Sequence, residues 1–432
     1  MKQPKRRVFT GSVVVSLILT LGLMGCSGKD ARRRVLLIGI DGATLRVAVP
    51  LMQDGKLSNL AALAREGVSG PLRSTLPLYS PRIWNSIATG KKPSKHGIVA
   101  FARKDEEGTP HLFLSSDRKT HALWNIASEA GLTVGVVNWW NTYPPERVRG
   151  VIVSDHLLAL EIERRQRITR SASVPRGAVI FPESWHDRLA GLLEHHPPFT
   201  STSDPFTANY ELPKWLARAR SRLSRHFAED GALVRIALEI EAGIDPDLLM
   251  VFLPGIDRIS HSLWGNLEPE HLYPPGLRPT DSEREAGAAA LKKYYEYTDE
   301  LIGALMSRYG PNDLVMVVSD HGFEAGVAML LLTGVHESEQ AIDGIIFARG
   351  ADIPRGAAAG SVAITDVTPT ILSWLRLPIA EDMDGNPAGF LQLPPTTTIA
   401  TYDTAPIERT SVAPSGAEEA IVDQLRGLGY VE

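Results

Sequence analysis

Six side chains of the kinds that bind divalent cations stand just beyond apolar runs. They are Asp41 after "VLLIGI", Asp257 and His261 four apart in "GIDRISH", Asp320 and His321 together in "SDHG", and His336 in "TGVHE". Three carboxylates and three imidazoles are ligand types that Zn2+ accepts. Six are too many for one tetrahedral ion and suit two ions sharing a site. Two ions about 4 Å apart can hold both the attacking and the leaving oxygen of an in-line displacement. Ser80, in "LYSPRIWNSIATG", offers a hydroxyl that such a site would turn into a nucleophile near neutral pH. Taken singly, each residue has a plainer reading. Asp41 and the Asp320-His321 pair read as turns, Asp257 and His261 as a solvated helical pair, His336 as a loop residue and Ser80 as a helix cap. Their order and spacing together point to one site.

The elements that must position them are short aliphatic runs that stop at polar residues: 32–44, 246–257, 313–322 and "AIDGIIFARG". Continuous apolar runs of this length read as strands buried on both faces. Helical spacing separates them in "LSNLAALAREGV" (57–68), at the start of "HALWNIASEAGLTVGVVNWW" (121–140), and in "TDVTPTILSWLRL" (365–377), with Pro369 in its first turn. Alternating strands and helices predict an α/β fold with a mainly parallel sheet. Sites in such sheets form outside the carboxyl ends of the strands, so these distant segments are expected to converge in one crevice. The rhythm breaks over about 155–240, and 266–285 is rich in Pro and Glu; both read as inserts over the sheet, a helical cap that helps choose the substrate. Residues 400–416, rich in Thr, Ser, Pro and Ala, read as a loose linker before a short C-terminal helix.

The 432 residues are 44% apolar, with a formal net charge of −5 and a pI near 6.2. A nucleic-acid partner is not expected, since its backbone calls for a basic face. Residues 1–26 run from basic "MKQPKRR" through an apolar stretch to Cys26, the single cysteine, which describes an export signal. "LMGC" resembles a bacterial lipobox, in which the cysteine is lipidated. The expectation is an exported lipoprotein held to a membrane through Cys26 and facing the periplasm or cell exterior. An ordinary cleaved signal and an uncleaved anchor are the alternatives.

The stretches "LLIGIDGAT", "YSPRIWNSIATGKKPSKHGI", "FLPGIDRISHSLWG", "VVSDHGF", "GVHES" and "ITDVTPTILSWLRLPIAEDMDG" resemble the type I phosphodiesterase/nucleotide pyrophosphatase family of the alkaline phosphatase superfamily, over about 34–390. The resemblance implies an alkaline-phosphatase-like three-layer sandwich over 32–400, interrupted by the cap, with 401–432 as linker and helix. It implies that Asp41, Ser80, Asp320 and His321 hold one metal and Asp257, His261 and His336 the other. Both would be divalent ions, Zn2+ by preference, with Mn2+ tolerated by the same ligands. Ser80 would form a phosphoryl-enzyme intermediate, with Arg82 and Trp84 starting a helix behind it. The implied activity is phosphodiester hydrolysis, on a small phosphoester or a lipid headgroup. One departure is Phe101, where nucleotide pyrophosphatases often carry an Asn that contacts a phosphate oxygen. Lys92, Lys95 and His96 are nearby polar candidates, and Trp139, Trp140 and Tyr143 are candidates for a substrate pocket. Alternatives within the superfamily are a phosphoryl or phosphoethanolamine transferase or phosphatase, and, less well matched by Arg82 and Trp84, a sulfatase. A surface lipoprotein that keeps the fold without activity is the non-enzymatic alternative.

Overall fold

The computed structural model describes Met1 and residues 32–160, 179–193, 202–204, 206, 220–273, 278–328, 331–410 and 417–428. The Cys26 segment and much of the expected cap lie outside the described residues. Among those described, no helix is long and apolar enough to cross a membrane.

The described strands in chain order are β1 (Val35–Ile40), β2 (Val68–Arg73), β3 (Ala102–Lys104), β4 (Pro110–Leu112), β5 (Val134–Val137), β6 (Gly150–Val153), β7 (Ile180–Phe181), β8 (Leu248–Leu253), β9 (Leu314–Val318), β10 (Glu324–Ala328), β11 (Leu331–Val335), β12 (Asp343–Arg349), β13 (Ala357–Ala358), β14 (Ile379–Ala380) and β15 (Thr398–Ile399). Nine of them form one sheet in the order β13-β2-β12-β9-β1-β8-β5-β6-β7. The pairs from β9 through β1, β8 and β5 to β6 are parallel. β12 runs against both its neighbours, and edge strand β7 runs against β6. β3–β4 and β10–β11 are separate antiparallel hairpins.

Both faces of the sheet are covered, which explains the unbroken apolar runs. Leu36, Ile38 and Ile40 of β1 and Leu249, Val251 and Leu253 of β8 belong to one core. That core is closed by the helices Leu45–Gln53, Ser58–Glu66, Arg220–Ile244, Gly255–Leu263 and Asp281–Met306. Val35 and Leu37, with Leu248, Met250 and Phe252, belong to the other, under the helices Ser80–Thr89, Leu123–Glu129 and Val367–Trp374. Each such aliphatic side chain, fully withdrawn from water, contributes about 1.5–3 kcal/mol before entropy is counted. The result is the expected three-layer sandwich.

Two expectations change. Residues 220–244, inside the expected cap, form a 25-residue helix that belongs to the layer over the sheet. Leu233, Val234, Ile236, Ala237 and Ile240 are fully buried. Ile240 lies so close to Gly135 of β5 that a Cβ there would come within 3.0 Å of it. The arginines and glutamates interspersed along it masked this role in the sequence. Residues 401–410 are also not a loose linker. Asp403 accepts from Lys91 Nζ and from the His121 N–H, each at 2.7 Å. Arg409 Nη2 donates to the carbonyls of Ser115 and Arg118, and the Thr410 N–H donates to Pro145. Composition cannot show such ties, because the partners lie about 260–310 residues away.

Candidate metal centre

The strand order decides the site. β1 lies between β8 and β9 with Gly39 level with Phe252 and Val318, so the three strands end side by side. Asp41 follows β1 directly. Asp257 and His261 sit on the helix Gly255–Leu263, which starts two residues after β8. Asp320 and His321 follow β9, and His336 follows β11. Between β1 and β9 the turn needs Gly42, whose φ is +70° and whose N–H donates to Asp320 Oδ1 at 3.2 Å.

These residues form two overlapping buried groups, Asp41 with Asp320 and His321, and Asp257 with His321 and His336; ligand atoms within each lie no more than 4.8 Å apart. His321 Nε2 is 3.4 Å from Asp41 Oδ1 and 3.3 Å from Asp320 Oδ2. Asp257 Oδ1 is 3.4 Å from His261 Nε2 and 3.6 Å from His336 Nε2. The rings of His321 and His336 stack at 3.8 Å, so His321 stands between the two groups. His261 is outside both and reaches the second through Asp257.

The donor set fits divalent cations. Asp41 Oδ1, Asp257 Oδ1, Asp320 Oδ2 and His321 Nε2 are buried and make no hydrogen bond. Four such atoms facing one another is a costly arrangement unless cations occupy the space between them. The imidazoles are also pre-set. Nδ1–H of His261 donates to the Gly334 carbonyl and that of His321 to the Gly322 carbonyl, both at 3.0 Å. A carbonyl only accepts, so each Nδ1 holds the proton and each Nε2 lone pair faces the carboxylates, as metal-binding histidines require. Phe323 stands edge-on to the rings of His261, His321 and His336 and shields all three. It was visible in "SDHGF" but carries no ligand atom that would single it out.

Electrostatics agree. Burial, then the charges of Asp320 and Asp257, push the Asp41 carboxyl well above its ordinary range. Burial raises Asp320 as well. Burial opposes ionisation of Asp257, but the His261 and His336 imidazoles outweigh it and hold that carboxyl low. His261 is raised because Asp257 outweighs its burial, whereas burial and His321 drive His336 far down. Three carboxylates can be ionised together here only with added positive charge.

Ser80 is the first residue of the helix Ser80–Thr89 and is 2% exposed. One turn on, Trp84 is fully buried with its ring against Gly39 of β1 and 4.9 Å from Phe252 of β8. This seats the helix over the two strands that lead to Asp41 and Asp257. Its positive end, at Ser80, favours an anion. Two of the other polar candidates, Lys95 and His96, have their side chains engaged elsewhere. Lys95 Nζ binds Asp384 and the Asp382 carbonyl, and the Lys92 N–H donates to Asp384. His96 is buried against Ser86 Oγ, and burial holds its pKa down at about 3. The "MDG" stretch thus braces the loop after the helix, with the Asp384 and Gly385 N–H groups both bonded to the Gly90 carbonyl.

An α/β sandwich with a buried carboxylate–imidazole cluster at the carboxyl edge of its sheet is a scaffold for metal-dependent chemistry. Residues 35–344 match the model of the type I phosphodiesterase / nucleotide pyrophosphatase family, and the chain belongs to that family. No curated protein matches it in sequence. Among solved structures it is similar to a 2-O GAG sulfatase, at 14% identity and TM-score 0.52 over 84% of this chain and 74% of that one. It is also similar to phosphonoacetate hydrolase from Sinorhizobium meliloti 1021, at 15% and 0.43 over 69% of this chain, and spans 58% of that protein's length. A third is human ectonucleotide pyrophosphatase / phosphodiesterase 5, at 13% and 0.46 over 84% of this chain and 100% of that one. At these identities, the likeness to the sulfatase speaks for the fold.

Proposed function

We propose that the chain is a metal-dependent phosphodiesterase with Ser80 as its nucleophile and two divalent ions, Zn2+ by preference, in the cluster. The observation that carries this reading is the set of four buried, unbonded ligand atoms on Asp41, Asp257, Asp320 and His321, framed by imidazoles whose Nε2 atoms face inward. Asp41, Asp320 and His321 hold one ion together with Ser80, and Asp257, His261 and His336 hold the other. Bound there, the cations supply the charge that makes a serine hydroxyl nucleophilic and offsets charge developing on phosphate oxygens. Ser80 Oγ attacks phosphorus, the bond from phosphorus to the leaving oxygen breaks, and the departing alcohol takes up a proton. Water then hydrolyses the phosphoserine and restores the hydroxyl. The helix N-terminus orients the phosphate.

Phe101 favours a diester over a monoester. It is buried among Tyr79 and Trp140, and an apolar wall tolerates a second ester group while giving nothing to a dianion. Cys26 is proposed as the lipid anchor of an exported protein. The test is kcat/KM for a matched aryl phosphodiester, phosphomonoester and sulfate at one pH and zinc concentration. The diester is expected to lead. A monoester value equal or higher moves the chain to the phosphatase or transferase reading, and a dominant sulfate value to the sulfatase reading.

A further inference from the structure

A cavity is lined in part by two elements that lead to the metal centre, β8 and the helix Gly255–Leu263. Arg258, next to Asp257, lines it, as does Phe252 near the end of β8. Phe101 lines it too, and its ring lies 5.9 Å from that of Tyr79, the neighbour of Ser80. Trp140 completes an aromatic wall, 5.7 Å from Phe101 and 6.2 Å from Phe252. Ile421 and Leu425 on the C-terminal helix Glu418–Leu428 line it as well. That helix lies beyond residue 344, where the family match ends.

Several polar groups around the cavity are bonded within its wall. Asn138 Nδ2 donates to the Phe252 carbonyl, and Asn141 Nδ2 to that of Phe113. Asp155 accepts the N–H groups of Asn141 and Thr142. Arg258 Nη1 donates to Glu229 Oε2 at 2.8 Å, which also bonds His226 Nδ1, so that charge is neutralised within the wall. The Trp140 loop is held in shape: Asn138 and Asn141 both have left-handed backbone, at φ 60° and 57°. Between them, Trp139 is fully buried against Trp84, while Trp140 faces the cavity. Strained non-glycine residues of this kind persist where the surroundings over-determine them, often at binding sites.

We infer that this cavity receives the second ester group of the substrate, that the group is an uncharged hydrocarbon and not a nucleoside, and that the C-terminal helix sets this preference. The inference rests on the phosphodiesterase reading. A nucleobase has edges that need hydrogen-bonding partners, and the committed amides and carboxylate offer it few; a hydrocarbon needs none. Aromatic and aliphatic walls next to the reacting phosphate suit it.

The test uses the zinc-loaded full chain and p-nitrophenyl phosphodiesters that differ only in the second group: methyl, hexyl, phenyl and thymidin-5′-yl. The expected result is a kcat/KM for phenyl or hexyl about tenfold or more above methyl, with the thymidinyl ester no better than methyl. Whichever of phenyl and hexyl leads tells a ring from a chain, and either supports the inference. In Ile421→Asp and in Phe101→Asn the hydrocarbon-to-methyl ratio should fall about tenfold, a readout independent of how much protein is folded. A wild-type ratio near one, a lead for the thymidinyl ester, or an unchanged ratio in both variants would overturn it. If no ester is turned over, the phosphodiesterase reading fails, and the cavity is then read by tryptophan fluorescence in Ser80→Ala. A saturable response to diphenyl phosphate, absent with dimethyl phosphate and lost on adding Ile421→Asp, supports the cavity assignment; no such response overturns it.

Discussion

Replacing Gly39 by Ala should damage catalysis without emptying the metal centre. A Cβ at Gly39 would stand 2.6 Å from Trp84 Cζ3, 2.8 Å from Cη2 and 3.3 Å from Trp139 Cζ3. Carbon atoms prefer roughly 3.5–4.0 Å, so something must move by on the order of 1 Å. Trp84 has little freedom to turn aside. It is wedged between Trp139 (5.1 Å, 88°) and Phe252, and its carbonyl accepts from Trp139 Nε1 at 3.2 Å. The displacement therefore passes to the helix Ser80–Thr89 and reaches Ser80 one turn away. Overpacking of this kind costs about 1–3 kcal/mol of stability. A shift of about 1 Å in a reacting group costs roughly 100-fold in rate. Urea unfolding would read the first, and kcat on an aryl phosphodiester, with zinc per chain measured on the same sample, the second. Trp84→Phe added to Gly39→Ala should recover part of both losses, since the two residues are in contact and their effects should not add. The reasoning is refuted if Gly39→Ala keeps kcat within threefold of wild type despite the lost stability, or if zinc is lost in proportion to activity.

Three further outcomes are expected. Ser80→Ala should lower kcat by about three orders of magnitude or more while zinc content holds, because losing a nucleophile removes the chemical step and leaves binding contributions in place; more than a tenth of wild-type activity would make water the attacker. Elemental analysis should find about two zinc ions per chain, and His336→Ala should lose one; a content of one, unmoved by that substitution, would end the two-ion reading. Cys26→Ser should release the protein from the membrane fraction or block its processing, and unaltered behaviour in both respects would leave the N-terminal segment as a plain anchor.

Much of the scaffold is legible in the sequence because burial on two faces is a local demand. β1, β8 and β9 must each be apolar at every position, so "VLLIGI", "LLMVFL" and "LVMVV" declare themselves as central strands, and the residues that end them are found by reading on. The side chains proposed for the site could be named in this way. Their arrangement could not. That β1 lies between β8 and β9, bringing Asp41 beside Asp257 and Asp320, depends on pairings across more than 200 residues. The imidazole orientations depend on the Gly334 and Gly322 carbonyls, which have no side-chain signature. Asp403 on Lys91 and Ile421 in the lining of the cavity turn a stretch that reads as linker and tail into part of the body. Residue type and spacing carry the chemistry each segment can offer, since they follow from which faces are buried. Only the assembled structure decides which segments meet, because hydrogen bonds and packing between distant residues leave no periodic trace in the chain.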